Sequence, residues 1–314
     1  MGTMPANVES MFYVREAPWH GLGNRVEHAL SSDEALKAAG LDWTVIQKSI
    51  QTEDFTEIPG YKANIRASDQ RMLGVVTDRY KIVQNHEAFA FADDLLGEGV
   101  RFETAGSLQN GKKVWLLAKL PENYIIAGDQ LSPYMVFSNS HDGSGSIKVA
   151  MTPIRIVCQN TLNLALTNAK RIWTTIHTGN IQSKLEEAKK TLLHAELYMD
   201  RLGAEVDKLH KIKTPDHKVQ EYIEFLLPMP DNASSLQEKN VQQLRDDLQA
   251  RYFEAPDLKE VGKNGYRFVN AVSDFATHAK PLRETASYKE NLFLRTMEGN
   301  PLIDKAYELI LASA

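Results

Sequence analysis

Histidines, one cysteine and a pair of adjacent carboxylates are the residues of this chain whose types could support catalysis or metal binding. His86 begins like the HExxH zinc motif, but Ala90 stands where the second histidine is needed. Asp93 and Asp94 are neighbours in a predicted helix, where adjacent side chains point about 100° apart, which favours a solvated face. Cys158 excludes an internal disulfide, and its apolar surroundings favour an inert buried thiol. The sequence therefore predicts no metal, no other cofactor and no catalytic residue.

Basic residues are concentrated in the middle of a chain whose net charge is −5. Residues 143–185 contain no Asp or Glu, and neither do residues 104–121. Anion binding depends on local potential more than on net charge, so these windows can form a basic groove on an acidic protein. An ordinary solvated surface is the alternative. At the start of the first window, the sequence HDGSGS at 141–146 predicts a mobile connection whose amides could meet a phosphate, although it lacks the closing Gly-Lys of a phosphate loop.

The first half of the chain predicts an α+β domain with a largely antiparallel sheet. A short helix is indicated at 31–39 by a serine cap, early acidic residues and a glycine stop. Alternating runs predict strands, and Asn110-Gly111 between two of them predicts a hairpin. The predicted strands include WTVIQKSI, YKANIRAS, MLGVVTD, YKIVQN, PYMVFSNS and SIKVAMTPIRIV, and AFAFADDLL predicts a helix. We therefore expect an α+β core domain over residues 1–178.

Residues 179–314 predict a helical region that begins with a long heptad-patterned helix. From Ile181 to Leu209, nine apolar positions alternate spacings of four and three residues. Such a stripe must be covered by the chain's own later helices or by another subunit. No run of ~20 apolar residues and no secretory signal is present, so we expect no membrane partner and a cytoplasmic location.

The segment TPIRIVCQNTLNLALTNAKRIWTTIHTGN combines asparagines at helical positions with basic residues and a tryptophan. An internal amide network is one interpretation of this pattern, and a surface that meets a sugar-phosphate backbone and its bases is the other. Together with PWHGLG, SSDEALKAAGLDWTV, VTDRYKIVQN and NAVSDFATH, the segment resembles the phage/plasmid-like protein family, a domain-of-unknown-function family of phages, prophages and plasmids. The resemblance implies a mobile-element protein in a bacterial host cell and no established activity.

The order of predicted elements is also similar to that of the phage single-strand annealing proteins of the Red beta and Erf class, an analogy at the level of fold. We therefore predict a non-enzymatic protein that binds single-stranded DNA and promotes strand annealing as a homo-oligomer, in a ring or a filament. The alternatives are a protein-interaction or anti-defence factor that acts on a host protein through its helical half, and an enzyme without a recognisable motif. The predicted phosphate contacts are Arg79, Lys81, Lys112, Lys113, Lys148, Arg155, Lys170 and Arg171, and the predicted base-stacking rings are Tyr80, Trp115 and Trp173.

Overall fold

A computed structural model gives the fold of most of the chain. It describes residues 8–14, 24–28, 30–96, 101–120, 124–126, 128–155, 172–192, 195–283, 285, 295 and 299–314. The structure is 42% helical and 29% strand, its strand pairs are mostly antiparallel, and helices fill its C-terminal part. The predicted α+β class is therefore confirmed.

The strands of the described residues form two sheets. The large sheet has the order β11-β10-β9-β7-β6-β1-β2, with β8 paired to β9, and a small sheet has the order β3-β4-β5. Apart from the parallel pair β1–β2, the neighbouring strands are antiparallel. In chain order the strands are β1 (Val8–Val14), β2 (Asn24–Val26), β3 (Val45–Gln51), β4 (Glu57–Arg66), β5 (Met72–Thr77), β6 (Arg101–Leu108), β7 (Lys113–Lys119), β8 (Tyr124–Ile126), β9 (Asp129–Ser140), β10 (Ile147–Arg155) and β11 (Ile172–Thr175).

The hairpin between β6 and β7 follows directly from the local sequence. Gln109, Asn110 and Gly111 have φ angles of 53°, 58° and 86°, in the left-handed region that Asn and Gly tolerate best. Leu108 and Lys113 pair across the turn and set the register of both strands. The prediction made from Asn110-Gly111 is confirmed.

The prediction of a strand at residues 80–85 is wrong. Residues 81–84 form an extended link that pairs with none of the described strands, and a helix begins at Asn85. The polar groups of this link bond elsewhere: the Lys81 amide donates to the carbonyl of His177, and the Gln84 side-chain amide pairs with both backbone groups of Val45. The buried apolar residues of this segment, Tyr80 and Val83, are three positions apart, so their burial does not follow the period of two that a strand requires.

Helices follow the sheets in the order that the sequence predicts. The first has Ser31 as its cap, where Glu34 reaches back to accept from the Ser31 backbone amide at 3.0 Å, as in a capping box. In chain order the helices are α1 (Ser32–Ala38), α2 (Asn85–Leu96), α3 (Ile181–Leu192), α4 (Ala195–Lys211), α5 (Asp216–Leu226), α6 (Ser235–Glu254), α7 (Gly265–His278) and α8 (Pro301–Ala312), with a 3₁₀ turn at Pro256–Leu258. None of the helices within the described ranges is long and apolar enough to cross a bilayer.

One face of the large sheet is covered by α1, α2 and α3, and their contacts place the main core. The Phe89 ring on α2 lies 5.1 Å from the Phe102 ring on β6, and the Phe91 ring lies 5.7 Å from the Phe137 ring on β9. Side chains alternate along a strand, so residues next to Phe137 in β9 point to the other side of the sheet.

The heptad stripe at 181–209 packs inside the chain. Its described residues belong to α3 and α4, and Leu185, Met199, Leu202 and Val206 among them are buried in a single copy of the protein. α3 contacts β10 and β11, while α4 contacts β8 and α7. For these members the alternative of an intramolecular partner therefore holds, since their side chains are already covered within one chain.

α7 is the central helix of the C-terminal half, since it contacts α4, α6 and α8. Its guanidinium at Arg267 is buried and donates to the carbonyls of Tyr252, Phe253 and Val261, at 2.8, 3.3 and 3.0 Å. This side chain ends α6 by satisfying carbonyls that the helix leaves unpaired. Buried apolar residues of α7 belong to the same cluster as those of the large sheet.

Candidate nucleic-acid interface

A buried polar cluster joins the small sheet to the end of β9. Asn64 of β4 donates from Nδ2 to the carbonyl of His141 at 2.7 Å. Tyr80 donates its hydroxyl proton to the carbonyl of Ser140 at 2.5 Å, and burial raises the pKa of Tyr80, so the hydroxyl stays protonated. Asn139 donates to the carbonyl of Val83 at 2.9 Å. These side chains fix the start of the turn between β9 and β10 against the small sheet.

His141 is held in one tautomer by Asn85. The Asn85 Nδ2 donates to the carbonyls of Leu41 and Trp43 at 2.9 and 3.3 Å, so its Oδ1 is left as the acceptor. His141 Nε2 lies 2.9 Å from that oxygen and must carry the proton. His141 Nδ1 has no hydrogen-bond partner among the described residues. The imidazole is therefore a neutral donor in a fully buried position.

His177 holds the opposite tautomer in the same cluster. Its Nδ1 lies 2.9 Å from the carbonyl of Lys81, which can only accept, so Nδ1 carries the proton. Its ring stacks on Tyr80 with a centroid separation of 4.4 Å. Burial lowers the pKa of His177, although the bond to the Lys81 carbonyl opposes this. Two neutral histidines thus lie between the link at 80–84 and the end of β9.

Acid is expected to weaken the fold through His141. Burial lowers the pKa of His141 to about 3, from an ordinary value of 6.5, and the nearby His177 adds to the shift while Asp142 opposes it. Below pH 6.5, His141 binds a proton in the unfolded chain but stays neutral in the folded chain. Its contribution to the free energy of unfolding is therefore complete above pH 6.5 and is lost toward pH 3, at up to about 1.4 kcal/mol per pH unit.

Urea unfolding of the wild type and of His141→Gln, measured between pH 7.5 and 4.5, checks this expectation. Glutamine keeps a donor near the position of Nε2 but does not titrate. The stability of the wild type should fall more steeply with acid, by about one proton's uptake. Equal slopes for the two proteins would show that His141 is not held neutral by burial.

The turn at 141–146 is ordered by its own side chains. Asp142 Oδ1 accepts from the hydroxyl of Ser140 at 2.5 Å and from the amide of Ser144 at 2.9 Å. The Gly145 amide donates to the Ser140 hydroxyl at 3.1 Å. Gly74 of β5 lies so close that a Cβ there would be 2.6 Å from the Asp142 backbone. The amides of Ser144 and Gly145, which the sequence analysis considered for phosphate contact, thus already donate to a carboxylate and a hydroxyl.

Five of the predicted phosphate contacts meet at this end of the large sheet, and we call them the basic end. The carbonyl of Lys112 accepts from the His141 amide at 2.7 Å, and Lys113 pairs with Ser140. Lys148 pairs with Ser138, two residues before Ser140 on β9. Arg79 and Lys81 flank Tyr80, whose hydroxyl reaches Ser140. The basic end thus consists of Arg79, Lys81, Lys112, Lys113 and Lys148.

Two carboxylates of the described residues, Asp142 and Asp78, lie near members of the basic end. Asp142 lies beside Lys113: burial disfavours its charge, but hydrogen bonds from Ser140 and Ser144 and the charge of Lys113 hold its pKa below the ordinary value. Asp78 precedes Arg79 and is exposed. Arg79 and Lys81 are exposed, whereas Lys112, Lys113 and Lys148 are partly buried. Arg79 and Lys81 are therefore the members of the basic end that an anion in solution reaches most directly.

The three rings predicted to stack on bases are buried. Tyr80, Trp115 and Trp173 are 7%, 5% and 8% exposed. Tyr80 stacks on His177, Trp115 packs with Met11 and Leu108, and Trp173 belongs to the main core on the helix-covered face. A base stacks only on a ring face that it can reach, so we do not carry these rings into the proposed interface. Large aromatic side chains often pack in the core, and a sequence pattern does not distinguish such a ring from one that stacks on a base.

The remaining predicted contacts lie away from the basic end or outside the described residues. Arg155 ends β10, seven residues beyond Lys148 and thus about 23 Å along the strand at ~3.3 Å per residue. Lys170, Arg171 and Cys158 lie outside the described residues.

Asn85, His141 and His177 are the residues that the sequence analysis missed. His141 and His177 lack the sequence spacing of metal ligands. The contacts of all three residues join segments far apart in the chain, as with the 56-residue separation of Asn85 and His141. One signal was available: Asn139 and His141 continue the alternation of Met135 and Phe137 toward the covered face of the sheet. Polar residues in apolar positions of a strand indicate a buried network.

Comparisons with known proteins give a family and no described activity. A search of curated proteins and a search of solved structures each returned no match. A family model described as "Domain of unknown function (DUF932)" matches residues 72–296, from β5 through α7. This range contains the basic end and the buried histidines, and it covers more than half of the sequence. The chain therefore belongs to the DUF932 family, a domain family of unknown function.

Proposed function

We propose that the protein binds single-stranded DNA at the basic end and, as an oligomer, promotes annealing of complementary strands. The observation that carries the proposal is the meeting of Arg79, Lys81, Lys112, Lys113 and Lys148 around the end of β9. These residues come from three separate parts of the chain, so no single charge run in the sequence brings them together. Phosphate contacts of this kind supply most of the affinity in binding that is not sequence-specific.

The order of elements, which is similar to that of the Red beta and Erf class at the level of fold, supports the annealing part of the proposal. The resemblance to phage/plasmid-like proteins implies no activity of its own, and it supports a role in a mobile element in the cytoplasm of a bacterial host. Annealing requires that two loaded strands be brought together, which a ring or filament of copies would do. Because the heptad stripe is buried, the contacts between copies must use another surface.

Binding of the wild type to a labelled oligothymidylate tests the proposal. Each phosphate neutralised contributes about −0.7 to the slope of log affinity against log salt for single strands, so four to six contacts predict a slope of about −3 to −4. Fluorescence anisotropy over a range of salt concentrations gives this slope, and the same titration with RNA shows whether the sugar matters. No binding at ~50 mM salt would contradict the proposal.

A second candidate is a protein-interaction or anti-defence factor that acts on a host protein through the helical half. Phe225, Met229 and Leu236, around the connection between α5 and α6, are 53%, 36% and 68% exposed. Exposed apolar side chains grouped in this way are typical of protein contacts. This candidate function should survive loss of the basic end, whereas DNA binding should not.

A further inference from the structure

The small sheet presents a face that no element of the described structure covers. Ile46 of β3 is 37% exposed, Tyr61 of β4 is 51% exposed, and Met72 and Val75 of β5 are 59% and 51% exposed. Residues paired directly across neighbouring strands lie on the same side of a sheet. Ile46 pairs with Ile65, which pairs with Met72; Lys48 pairs with Ala63, which pairs with Val75; and Tyr61 pairs with Thr77. We call these three rows the open face.

The opposite side of the small sheet is the one that attaches it to the molecule. Asn64 and Gly74 pair with each other there, and they contact His141 and Asp142 at the turn after β9. Val76, two residues beyond Gly74, is buried. The small sheet is therefore attached to the rest of the protein through the side opposite the open face. The open face is exposed although the sheet is firmly held in place.

The charge of the open face distinguishes between two molecules that could bind there, a second copy of the chain and a polyanion. Lys48 is the only charged residue in its three rows, and it stands in the middle one. A second copy packed on the open face about a twofold axis would bring two such lysines toward each other with no carboxylate in the rows between them, which is costly in a buried contact. A polyanion with flat apolar groups fits both the lysine and the apolar side chains.

The open face also leads directly to the basic end. Thr77, in the row of Tyr61, is followed by Asp78, whose amide donates to the carbonyl of Gly60 at 3.0 Å. Arg79 comes next and is exposed. A strand whose phosphates contact Arg79 can therefore continue over Tyr61 without leaving the protein surface.

We infer that the open face is the base-binding surface for single-stranded DNA, with Tyr61 stacking on a base and Met72, Val75 and Ile46 packing against its neighbours. This inference rests on the proposed function. It assigns base stacking to Tyr61 in place of the buried rings that the sequence analysis predicted. In RNA-recognition modules, a four-stranded sheet stacks two or three bases on its aromatic rings. Stacking tolerates any sequence because every base has a flat face.

Tyr61→Ser combined with Met72→Gln tests the inference. Both side chains are exposed, so the fold should be retained, which circular dichroism checks. Affinity for an oligothymidylate of about 20 nucleotides should fall tenfold or more, given the usual contribution of one stacked base. Tyr61→Phe should bind like the wild type. Phe225→Ser, which removes a ring of similar exposure from α5, is the matched control and should also bind like the wild type.

Two further readouts identify the contact. An oligonucleotide with photoreactive iodouracil bases should cross-link to Tyr61 on irradiation. An abasic strand of equal length should bind the wild type and the double variant with the same affinity, since it retains phosphates but offers no base to stack.

The outcomes distinguish this inference from the proposed function. If the wild type binds DNA and a variant with a reversed basic end does not, while Tyr61→Ser/Met72→Gln binds within twofold of the wild type, the inference is overturned and the proposed function stands. A double variant that instead changes the sedimentation of the free protein would assign the open face to another copy and overturn the inference. If the wild type binds no oligonucleotide, both fail.

Discussion

Charge reversal of Lys112 and Lys113 together is expected to weaken binding of single-stranded DNA about 100-fold at low salt. Both residues lie beside Ser140 and His141, at the centre of the basic end. The change removes two cations that neutralise phosphates and adds repulsion from two carboxylates. The salt dependence should also become shallower, by about 0.7 in slope for each phosphate that is no longer neutralised. Anisotropy titrations of the variant and the wild type at several salt concentrations measure both quantities.

Lys239→Glu combined with Lys259→Glu is the control for net charge. These two lysines are exposed in the helical half, and their reversal alters the charge of the protein by the same amount. Affinity should stay within about twofold of the wild type, because the Debye length of ~10 Å at 0.1 M salt screens distant charges. If both double variants bound DNA equally weakly, binding would follow the charge of the whole protein, and the basic end would have no special role.

Local sequence patterns predicted the elements of this fold well where one residue decides the geometry. Asn110-Gly111 specifies the left-handed turn between β6 and β7, and Ser31 with Glu34 specifies the start of α1. The error at 80–85 has a different origin. The buried side chains of Tyr80 and Val83 are three positions apart, and the backbone of the link bonds to the His177 carbonyl and the Asn139 side chain instead of pairing with a strand. Periodicity reports burial and does not identify the bonding partner.

The candidate site could be predicted only in part, because the exposure of a charged side chain follows from its type, whereas the exposure of an aromatic side chain depends on the fold. Lysines and arginines stay near the surface wherever the chain takes them, so the acid-free windows were enough to suggest Lys112, Lys113 and Lys148 as candidates. An aromatic residue is as often a core residue as a binding one, and Trp115 and Trp173 are buried. Tyr61 lies in an ordinary alternating strand, and it is exposed because no described element forms a second layer over the small sheet. The layering of a sheet is a property of the whole fold.

The buried cluster behind the basic end depends most strongly on Asn85, so Asn85→Leu is expected to destabilise the protein by about 4 kcal/mol. Asn85 is 2% exposed and serves three partners: the carbonyls of Leu41 and Trp43, and the imidazole of His141. Leucine has a similar volume, so little cavity forms, but two carbonyls and one N–H group lose their bonds in a buried position. Each such group costs about 1–3 kcal/mol when left unsatisfied. Urea unfolding at pH 7.5 measures the decrease in stability.

Asn240→Leu is the matched control, because Asn240 lies partly exposed on α6 and its replacement should change stability by less than about 0.5 kcal/mol. Should Asn85→Leu fail to fold, Asn64→Ala gives a graded test, since it removes the 2.7 Å bond to the His141 carbonyl and should cost about 1–2 kcal/mol. A decrease for Asn85→Leu no greater than that of the control would mean that water reaches these carbonyls and replaces the amide. The end of β9 would then be held by Asn64, by Tyr80 and by the β7–β9 pairing, without a contribution from Asn85.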